Sequence, residues 1–334
     1  MELKMAVNRQ TWNDFLTPQA HAEFLQSWEW GEFQKSFGRR VWRVGFFKGS
    51  AQVGAAQILE HYLGLGMGYL YCPRGPAGRF SLNDWLYFLR AEISNYGEIF
   101  LRFEPASEDF LKEAAGSVSV RRAASVQPAR ELIINLEKEE DELLKEMCQK
   151  TRYNIRLAMK KGLKFQAAKT SEDKQKIFAT FWQMMKKTAR RDKIKLHPRK
   201  YYELMLGNLP QSGLFIVWLG DKILTGGIFL GFGDTFNYLH GAFDAKHRET
   251  MAPYLLHWSA MRLAKEQGFK YYNFGGVNPE NEADFNYRQS WEGITRFKKG
   301  FGGFIFSRPG TFEIPLNGRG YRIYQFLKKA RRCL

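Results

Sequence analysis

The stretch GLFIVWLGDKILTGGIFLGFG, Gly213 to Gly233, decides the fold that this sequence predicts. Two apolar runs, rich in β-branched and aromatic residues, flank a Gly-Asp pair at Gly220 and Asp221. Such a pattern is typical of two strands joined by a tight turn. The stretch RVWRVGFFKGSAQVGAAQIL, Arg40 to Leu59, has the same plan. The chain therefore carries two predicted hairpins.

Each predicted hairpin is followed by a helix and a further strand. The first precedes helical spacing in 84–95 and a strand in 98–105, and the second precedes helical spacing in 253–267 and a strand in 270–276. The repeated order of hairpin, helix and strand indicates an internal duplication. The alternation predicts an α/β fold with mixed sheets and helices on their faces.

The composition predicts two packed domains and an anionic partner. The 334 residues, 44% apolar and 16% aromatic, exceed what one small core needs. The net charge of +17 is concentrated in two stretches, 145–200 with 18 Lys/Arg against 4 Asp/Glu and 288–334 with 11 against 2. A charge excess of this size indicates a polyanionic partner or surface.

The first basic stretch includes two predicted helices. The charged segment 136–162, which ends at Gly162, is the predicted linker. The segment 176–195 has an apolar face that predicts core packing, formed by Phe178, Phe181, Trp182, Met185 and Ala189. Its opposite face could be solvated, line a groove for phosphates, or rest on an anionic bilayer. That basic face consists of Lys186, Lys187, Arg190 and Arg191.

Several common sites are absent from the sequence. It contains neither HExxH, nor a Cys/His cluster, nor GxxxxGK[ST], nor GxSxG, so no metal site, nucleotide loop or serine elbow is predicted. Cys72, Cys148 and Cys333 are far apart and fit a reducing compartment. No signal-peptide core or membrane-spanning run is present. We therefore expect a cytoplasmic protein, with membrane-surface contact left open.

The duplicated plan suggests an acyl-transfer scaffold of the acetyltransferase type. Such enzymes hold the pyrophosphate of coenzyme A at a glycine-rich turn that opens a helix, where backbone amides reach the phosphates. The corresponding turn here, HRETMAPYLL at 247–256, contains no glycine. An enzyme that uses acyl-coenzyme A is therefore disfavoured, although it stays the first alternative.

The whole chain resembles the Fem-type (FemABX) aminoacyl-tRNA-dependent transferases, which build the interpeptide bridges of peptidoglycan. The order and spacing of seven motifs carry the resemblance. They are QSWEWGEFQKSFG (26–38), YCPRGPAG (71–78), TRYNIRLAMKKG (151–162), HPRKYYELM (197–205), MAPYLLHWSAM (251–261), YYNFGG (271–276) and FKKGFGG (297–303).

The resemblance implies two tandem acetyltransferase-like domains of the GNAT type. The first, on the acceptor side, would comprise 1–136 plus 308–334, because in this fold the last segment returns to the first domain. The second, basic and on the donor side, would comprise 137–307. No heptad-rich insertion is present, so the chain resembles the compact members that lack a coiled-coil arm.

The resemblance also implies a reaction. An amine on the stem peptide of lipid II, or of its UDP-linked precursor, would attack the ester carbonyl of an aminoacyl-tRNA. Because the ester is already activated, neither a cofactor nor a covalent intermediate is expected, and the enzyme would supply alignment and oxyanion stabilisation. The basic helix at 176–195 favours the membrane-bound acceptor.

The expected donor site includes the segment GITRFKKGFGG, 293–303. The resemblance implies that Lys298 steadies the oxyanion and that Phe297 stacks near the terminal adenosine. The glycines would let strand backbone pass close to the RNA end. Further cations predicted to meet the tRNA are Arg296, Lys299, Lys186, Lys187, Arg190 and Arg191.

The expected acceptor site is spread along the chain. Lys35 matches a family lysine that contacts phosphates, and Glu104 falls where relatives have a carboxylate near the attacking amine. His197 occupies the position of a family arginine, which leaves open whether it or Arg199 holds the phosphates. Tyr201 and Tyr254 match tyrosines of the acceptor site. A non-catalytic RNA-binding protein is the second alternative.

Overall fold

The computed structural model describes residues 1–6, 8–19, 21–64, 66–93, 97–110, 118–168 and 170–333. The chain forms two compact units. Unit 1 contains Met1–Pro18, Leu25–Ala129 and Arg308–Leu334, and unit 2 contains Gln19–Phe24 and Arg130–Ser307.

The sheet of unit 1 has the order β1-β2-β3-β4-β6-β15-β7, with β5 paired to β3. Only β4 and β6 pair in parallel among these strands. The strands are β1 (Glu2–Met5), β2 (Val41–Lys48), β3 (Ala51–Gly64), β4 (Met67–Cys72), β5 (Ala77–Gly78), β6 (Glu98–Phe103), β7 (Arg121–Ala123) and β15 (Thr311–Pro315).

The helices of unit 1 begin at side-chain caps that the sequence supplies. Ser27 and Ser81 each accept a hydrogen bond from a backbone N–H in the first turn of the helix that follows. The core of the unit contains edge-to-face rings, such as Trp85 against Phe46 and Phe103. The helices are α1 (Arg9–Leu16), α2 (Trp28–Ser36), α3 (Leu82–Phe88, continued by a π-helical turn at Leu89–Ile93) and α10 (Gly318–Cys333).

The sheet of unit 2 has the order β14-β8-β13-β12-β11-β10-β9, and only β12 and β13 pair in parallel among these strands. Its strands are β8 (Arg130–Asn135), β9 (Lys164–Ala168), β10 (Ser212–Leu219), β11 (Lys222–Phe232), β12 (Thr235–Phe243), β13 (Tyr271–Gly276) and β14 (Phe304–Ser307).

The helices of unit 2 pack their apolar faces onto this sheet. Stacked rings of Phe215, Phe229 and Phe236 lie under Leu256 and Met261 in one core cluster. The helices are α4 (Glu140–Glu146), α5 (Gln149–Lys160), α6 (Ser171–Asp192), α7 (Arg199–Asn208), α8 (Ala252–Glu266) and α9 (Glu292–Lys299). Short 3₁₀ turns lie at Phe24–Gln26, Ala245–Thr250 and Gln289–Trp291.

The predicted duplication is confirmed by the topology. In unit 1, three antiparallel strands, β2 to β4, are followed by α3 and by β6, which pairs in parallel with β4. In unit 2, β10 to β12 are followed by α8 and by β13, which pairs in parallel with β12. The last segment returns to unit 1, since β15 pairs with β6.

Three details differ from the sequence-based expectations. The segment 293–303 is not a strand, because Glu292–Lys299 form the helix α9. The segment 136–162 contains two helices, since Met147 is extended and ends α4 before α5 begins. The units divide before β8 rather than after it, because β8 pairs with β13 and β14.

Candidate active site

Lys298 lies on the inner face of α9, where its ammonium group is buried. The residue is 7% exposed, and its Nζ donates to the carbonyl oxygen of Gly276 at 2.7 Å. Thr295, one turn earlier, is buried on the same face and accepts from the backbone N–H of Asn278 at 2.9 Å. The helix therefore fixes Lys298 against the end of β13.

A buried carboxylate lies beside this ammonium group. In the β8–β13 ladder, Glu131 is directly opposite Gly276, the residue that accepts from Lys298. Glu131 is itself buried and accepts from Nδ2 of Asn273 at 3.3 Å. Burial lowers the pKa of Lys298 to about 8, and the charge of Glu131 acts in the opposite direction.

The end of β13 has a backbone shape that suits this arrangement. Gly275 has φ +73°, a region that side chains rarely adopt, and its N–H donates to Oδ1 of Asn273 at 2.7 Å. A Cβ at Gly275 would lie 4.0 Å from Nζ of Lys298. Gly275 thus allows the strand end to turn beside the ammonium group.

An aromatic cluster packs behind the lysine. The ring of Phe297 lies 5.0 Å from that of Tyr254 and 5.4 Å from that of Phe301, in edge-to-face arrangements. His257, on the same helix as Tyr254, accepts or donates a 2.7 Å hydrogen bond with the hydroxyl of Tyr272. Burial, and then the charge of Lys298, lower the pKa of His257 to about 3. This imidazole is therefore neutral at physiological pH.

The structure thus brings Lys298, Phe297 and Tyr254 together in unit 2. Glu131, Asn273, Gly275, Gly276 and His257 belong to the same cluster, and sequence reasoning assigned none of them a role. The motif YYNFGG was a usable signal, because paired glycines at a strand end mark a close approach.

The predicted acceptor residues in α7 and just before it form a separate cluster. The ring of His197 stacks on that of Tyr201 at 4.1 Å, and Tyr201 is buried. Arg199 pairs with Glu203 at 2.8 Å and lies over the ring of Phe178. Arg199 also lines a cavity of about 410 Å³ whose other lining residues are Lys174, Gln175, Phe178, Glu203, Leu206 and Gly207.

The cations of α6 are placed as the helical pattern predicts. Lys187 and Arg190 are exposed and Lys186 is half-buried, while Phe181 and Met185 on the opposite face are buried. Arg191 pairs with Asp192 at 2.7 Å and lies over the ring of Phe243. The apolar face of this helix is core.

The two other cations of α9 point to its outer side. Arg296 and Lys299 are exposed, and Lys299 lies 3.8 Å from a carboxylate oxygen of Glu280. They flank Lys298 in sequence, but Lys298 is buried and they are not.

Lys35 and Glu104 belong to unit 1. Lys35 is exposed on α2 and pairs with Glu32 at 3.0 Å. Glu104 is 4% exposed, and its carboxylate accepts four hydrogen bonds of 2.8 to 3.2 Å. Tyr71 and Arg74 donate to one oxygen, and Gln127 and Thr311 donate to the other. Four donors complete the coordination of a carboxylate, which gives Glu104 a structural role in joining β6, β15 and the chain before β8.

The described part of the chain contains neither a metal-ligand cluster nor a spanning helix. No group of three or more His, Cys, Asp or Glu side chains in the described ranges is arranged to hold a metal ion. No helix in those ranges combines the length and apolar character needed to cross a bilayer.

Comparison with known proteins identifies the family. The family model described as the FemAB family matches residues 7–119, 114–218 and 220–329. The lipid II:glycine glycyltransferase of Staphylococcus aureus strain USA300 is 22% identical, over 97% of this chain and 96% of that protein.

Solved structures show the same fold. The crystal structure of FemX has a TM-score of 0.81 at 20% identity, covering 97% of this chain and 99% of that one. A tandem GNAT protein from the clavulanic acid biosynthesis pathway has a TM-score of 0.53 at 10% identity, covering 94% and 98%. The fold is therefore a pair of acetyltransferase-like domains, and the chain belongs to the FemAB family.

Proposed function

We propose that this protein transfers an amino acid from an aminoacyl-tRNA to the stem-peptide amine of a peptidoglycan precursor during interpeptide bridge formation. Family membership and the likeness to a lipid II:glycine glycyltransferase support a transferase that acts on such a precursor. The net charge of +17 supports two polyanionic substrates.

The observation that carries the proposal is the buried ammonium group of Lys298. Acyl transfer places negative charge on the carbonyl oxygen of the ester as the amine attacks it. A preorganised cation in a site with little water stabilises that charge more strongly than an exposed one does. Lys298 is buried, and its pKa of about 8 keeps it mostly protonated at neutral pH.

The proposed reaction exchanges one bond for another between its two substrates. The stem-peptide nitrogen bonds to the carbonyl carbon, the bond from that carbon to the ribose oxygen breaks, and the amine proton ends on the released hydroxyl. Lys298 would steady the tetrahedral oxyanion, and Phe297 would form part of the wall against which the terminal adenosine stacks.

The exposed cations among the other predicted residues would contact phosphates of the two substrates. Unit 1, with Lys35, would serve the acceptor, and unit 2 would serve the donor. Exposed or half-exposed cations for the tRNA phosphates lie on two helices of unit 2. They are Lys186, Lys187 and Arg190 of α6 and Arg296 and Lys299 of α9. A tRNA donor implies reaction in the cytoplasm, at the inner face of the membrane if the acceptor is lipid-linked.

An acyl-coenzyme A donor is disfavoured by the start of α8. A pyrophosphate needs free backbone N–H groups at a helix N-terminus. Pro253 has no N–H, and the N–H of Tyr254 already donates to the carbonyl oxygen of Met251 at 3.0 Å. The first turn therefore has few amides to offer to coenzyme A.

The proposal is tested by incubating the protein with charged tRNAs and either lipid II or the UDP-linked pentapeptide. We expect a mass gain of one or more amino acids on the acceptor. Lys298→Met keeps the volume of the side chain and should slow transfer by roughly 10²- to 10³-fold, the effect of one oxyanion donor. No product with any charged tRNA would refute the function, whereas undiminished transfer by the variant would refute only the role of Lys298.

A further inference from the structure

The helix α10 of unit 1 turns a polar aromatic face towards the sheet of that unit. The hydroxyl of Tyr321 donates to Oε2 of Glu313 at 2.7 Å, and the hydroxyl of Tyr324 accepts from Arg102 at 3.1 Å. Both tyrosine rings pack on that of Phe100, at 5.5 and 4.8 Å. Gln325 adds a third contact, to Glu313 at 3.2 Å.

The opposite face of α10 is apolar and exposed. Ile323, Phe326 and Leu327 are 53%, 72% and 47% exposed, and Ala330 continues their line. Their spacing of i, i+3, i+4 and i+7 aligns them along one side of the helix. A surface helix normally buries its apolar stripe and exposes its polar one. In α10 the polarity is reversed.

This apolar line is surrounded by positive charge. From Gly318 to Leu334 the sequence contains six Lys/Arg and no Asp/Glu. Arg319 and Lys329 lie at either end of the line and Arg322 beside it, and all three are exposed. At the surface of an anionic bilayer, acyl chains meet negative headgroups. A helix face with large apolar side chains, flanked only by basic charged residues of the same helix, is complementary to such a surface.

We propose that the outer face of α10 docks this protein onto an anionic membrane surface. Ile323, Phe326 and Leu327 enter the boundary of the acyl chains, and the flanking cations contact lipid phosphates. The tyrosine face meanwhile holds the helix to the sheet of unit 1, so that the helix lies along the bilayer without crossing it.

A second copy of this chain fits the same face less well. An isologous dimer would bring identical patches together. The cations that flank Ile323, Phe326 and Leu327 would then face like charges, with no acidic residue in 318–334 to pair with them. A lipid surface supplies the missing negative charge.

The helix α6 is a weaker membrane element than the sequence suggested. Its cations Lys187 and Arg190 are exposed. Its apolar stripe, which includes Phe178, Phe181 and Met185, is buried in unit 2. This buried stripe is therefore not available for insertion into a bilayer. The membrane proposal for α10 rests on the proposed function in one respect. If the protein is the proposed transferase, docking on a membrane favours the lipid-linked form of its acceptor.

The test is flotation of the full chain with vesicles of phosphatidylcholine, with and without phosphatidylglycerol. We expect binding only to the anionic vesicles, weakened by salt. Changing Ile323, Phe326 and Leu327 together to Ser should lower the partition coefficient at least about tenfold. Changing Arg319, Arg322 and Lys329 together to Gln should have a similar effect. Because these side chains are exposed, unchanged melting temperatures should accompany both losses.

The matched control removes three cations from α6, by changing Lys186, Lys187 and Arg190 to Gln, and should leave flotation unchanged. Equal flotation of the serine variant and the parent protein, or loss of flotation in the α6 variant alone, would overturn the proposal. So would a lipid-free dimer that the serine variant abolishes. The vesicles contain neither tRNA nor acceptor, so this outcome is independent of the transfer assay.

Discussion

At the scale of single residues, Lys298 is the clearest case of a charged group that is buried at a cost to stability. An ammonium group prefers water, and burial disfavours its charged form. In this protein the carbonyl of Gly276 and the charge of Glu131 keep it in place. A cation that is retained in spite of its burial is a candidate for function.

The pKa of Lys298 predicts an alkaline limit to activity. Its pKa is lowered by burial from 10.5 to about 8, so the ammonium form is lost as the pH rises through about 8. Transfer should fall above that pH by about tenfold per unit. The measurement is the initial rate of transfer against pH, corrected for spontaneous hydrolysis of the aminoacyl-tRNA.

The control for this prediction is Lys298→Arg. A guanidinium stays charged throughout the range, so the decline near pH 8 should vanish in the variant whatever its absolute rate. Persistence of the same decline would assign it to another group. The lowered pKa also makes the stability of the fold depend on pH. Below about pH 8 the buried ammonium group disfavours folding. The free energy of unfolding should therefore rise as the pH increases from about 8 to 10.5.

At the scale of elements, the glycines around α9 serve close packing within unit 2. A Cβ at Gly300 would lie 2.6 Å from Oγ1 of Thr151, and one at Gly303 would lie 2.3 Å from the carbonyl oxygen of Ile133. Gly302 and Gly303 also have φ near +80°. The helix therefore turns sharply into β14. Packing within the protein accounts for these glycines without an RNA end.

Two alanine substitutions test whether these glycines are needed for packing within the protein. Gly303→Ala combines an unfavourable φ with a backbone clash and should lower the free energy of unfolding by about 2 kcal/mol or more. Gly293→Ala, in the first turn of α9 with nothing within 4 Å of the new Cβ, should be neutral or stabilising by up to about 1 kcal/mol. Urea denaturation measures both changes. Equal effects would contradict the packing explanation.

At the scale of the whole molecule, the net charge of +17 belongs to two stretches rather than to the entire surface. The first, 145–200, includes α5, α6 and the start of α7, and the second, 288–334, includes α9 and α10. We expect the first stretch to contact tRNA and α10 to contact lipid, so the two should be separable by mutation.

The tRNA affinity should fall steeply with salt, because each neutralised phosphate releases counterions. Changing Lys187 and Arg190 to Gln should reduce the slope of log K against log salt by about one for each phosphate that is no longer neutralised. Fluorescence anisotropy with labelled tRNA measures this slope. Changing the exposed Lys48 and Arg79 of unit 1 to Gln removes the same charge and should leave the slope unchanged. Equal slopes in both variants would refute a local contact by α6.

Much of the fold could be predicted because its signals are local. The turn at Gly220-Asp221 and the apolar spacing of α6 are visible in short windows of sequence, and the structure has β10, β11 and α6 where they predict them. The helix α9 could not be predicted, because its glycines resemble those of a loop or strand and only packing against α4 and α5 decides their conformation.

The sequence by itself determined the duplicated hairpin, helix and strand units, the charge distribution and the candidate lysine. Only the tertiary structure decided what surrounds that lysine. Glu131 and Lys298 are far apart in the chain, and the pairing of β8 with β13 brings Glu131 opposite Gly276. The same holds for α10, whose tyrosine face is inward because Glu313 and Arg102 lie beneath it. Periodicity shows which residues share a face, whereas long-range contacts decide which face is buried.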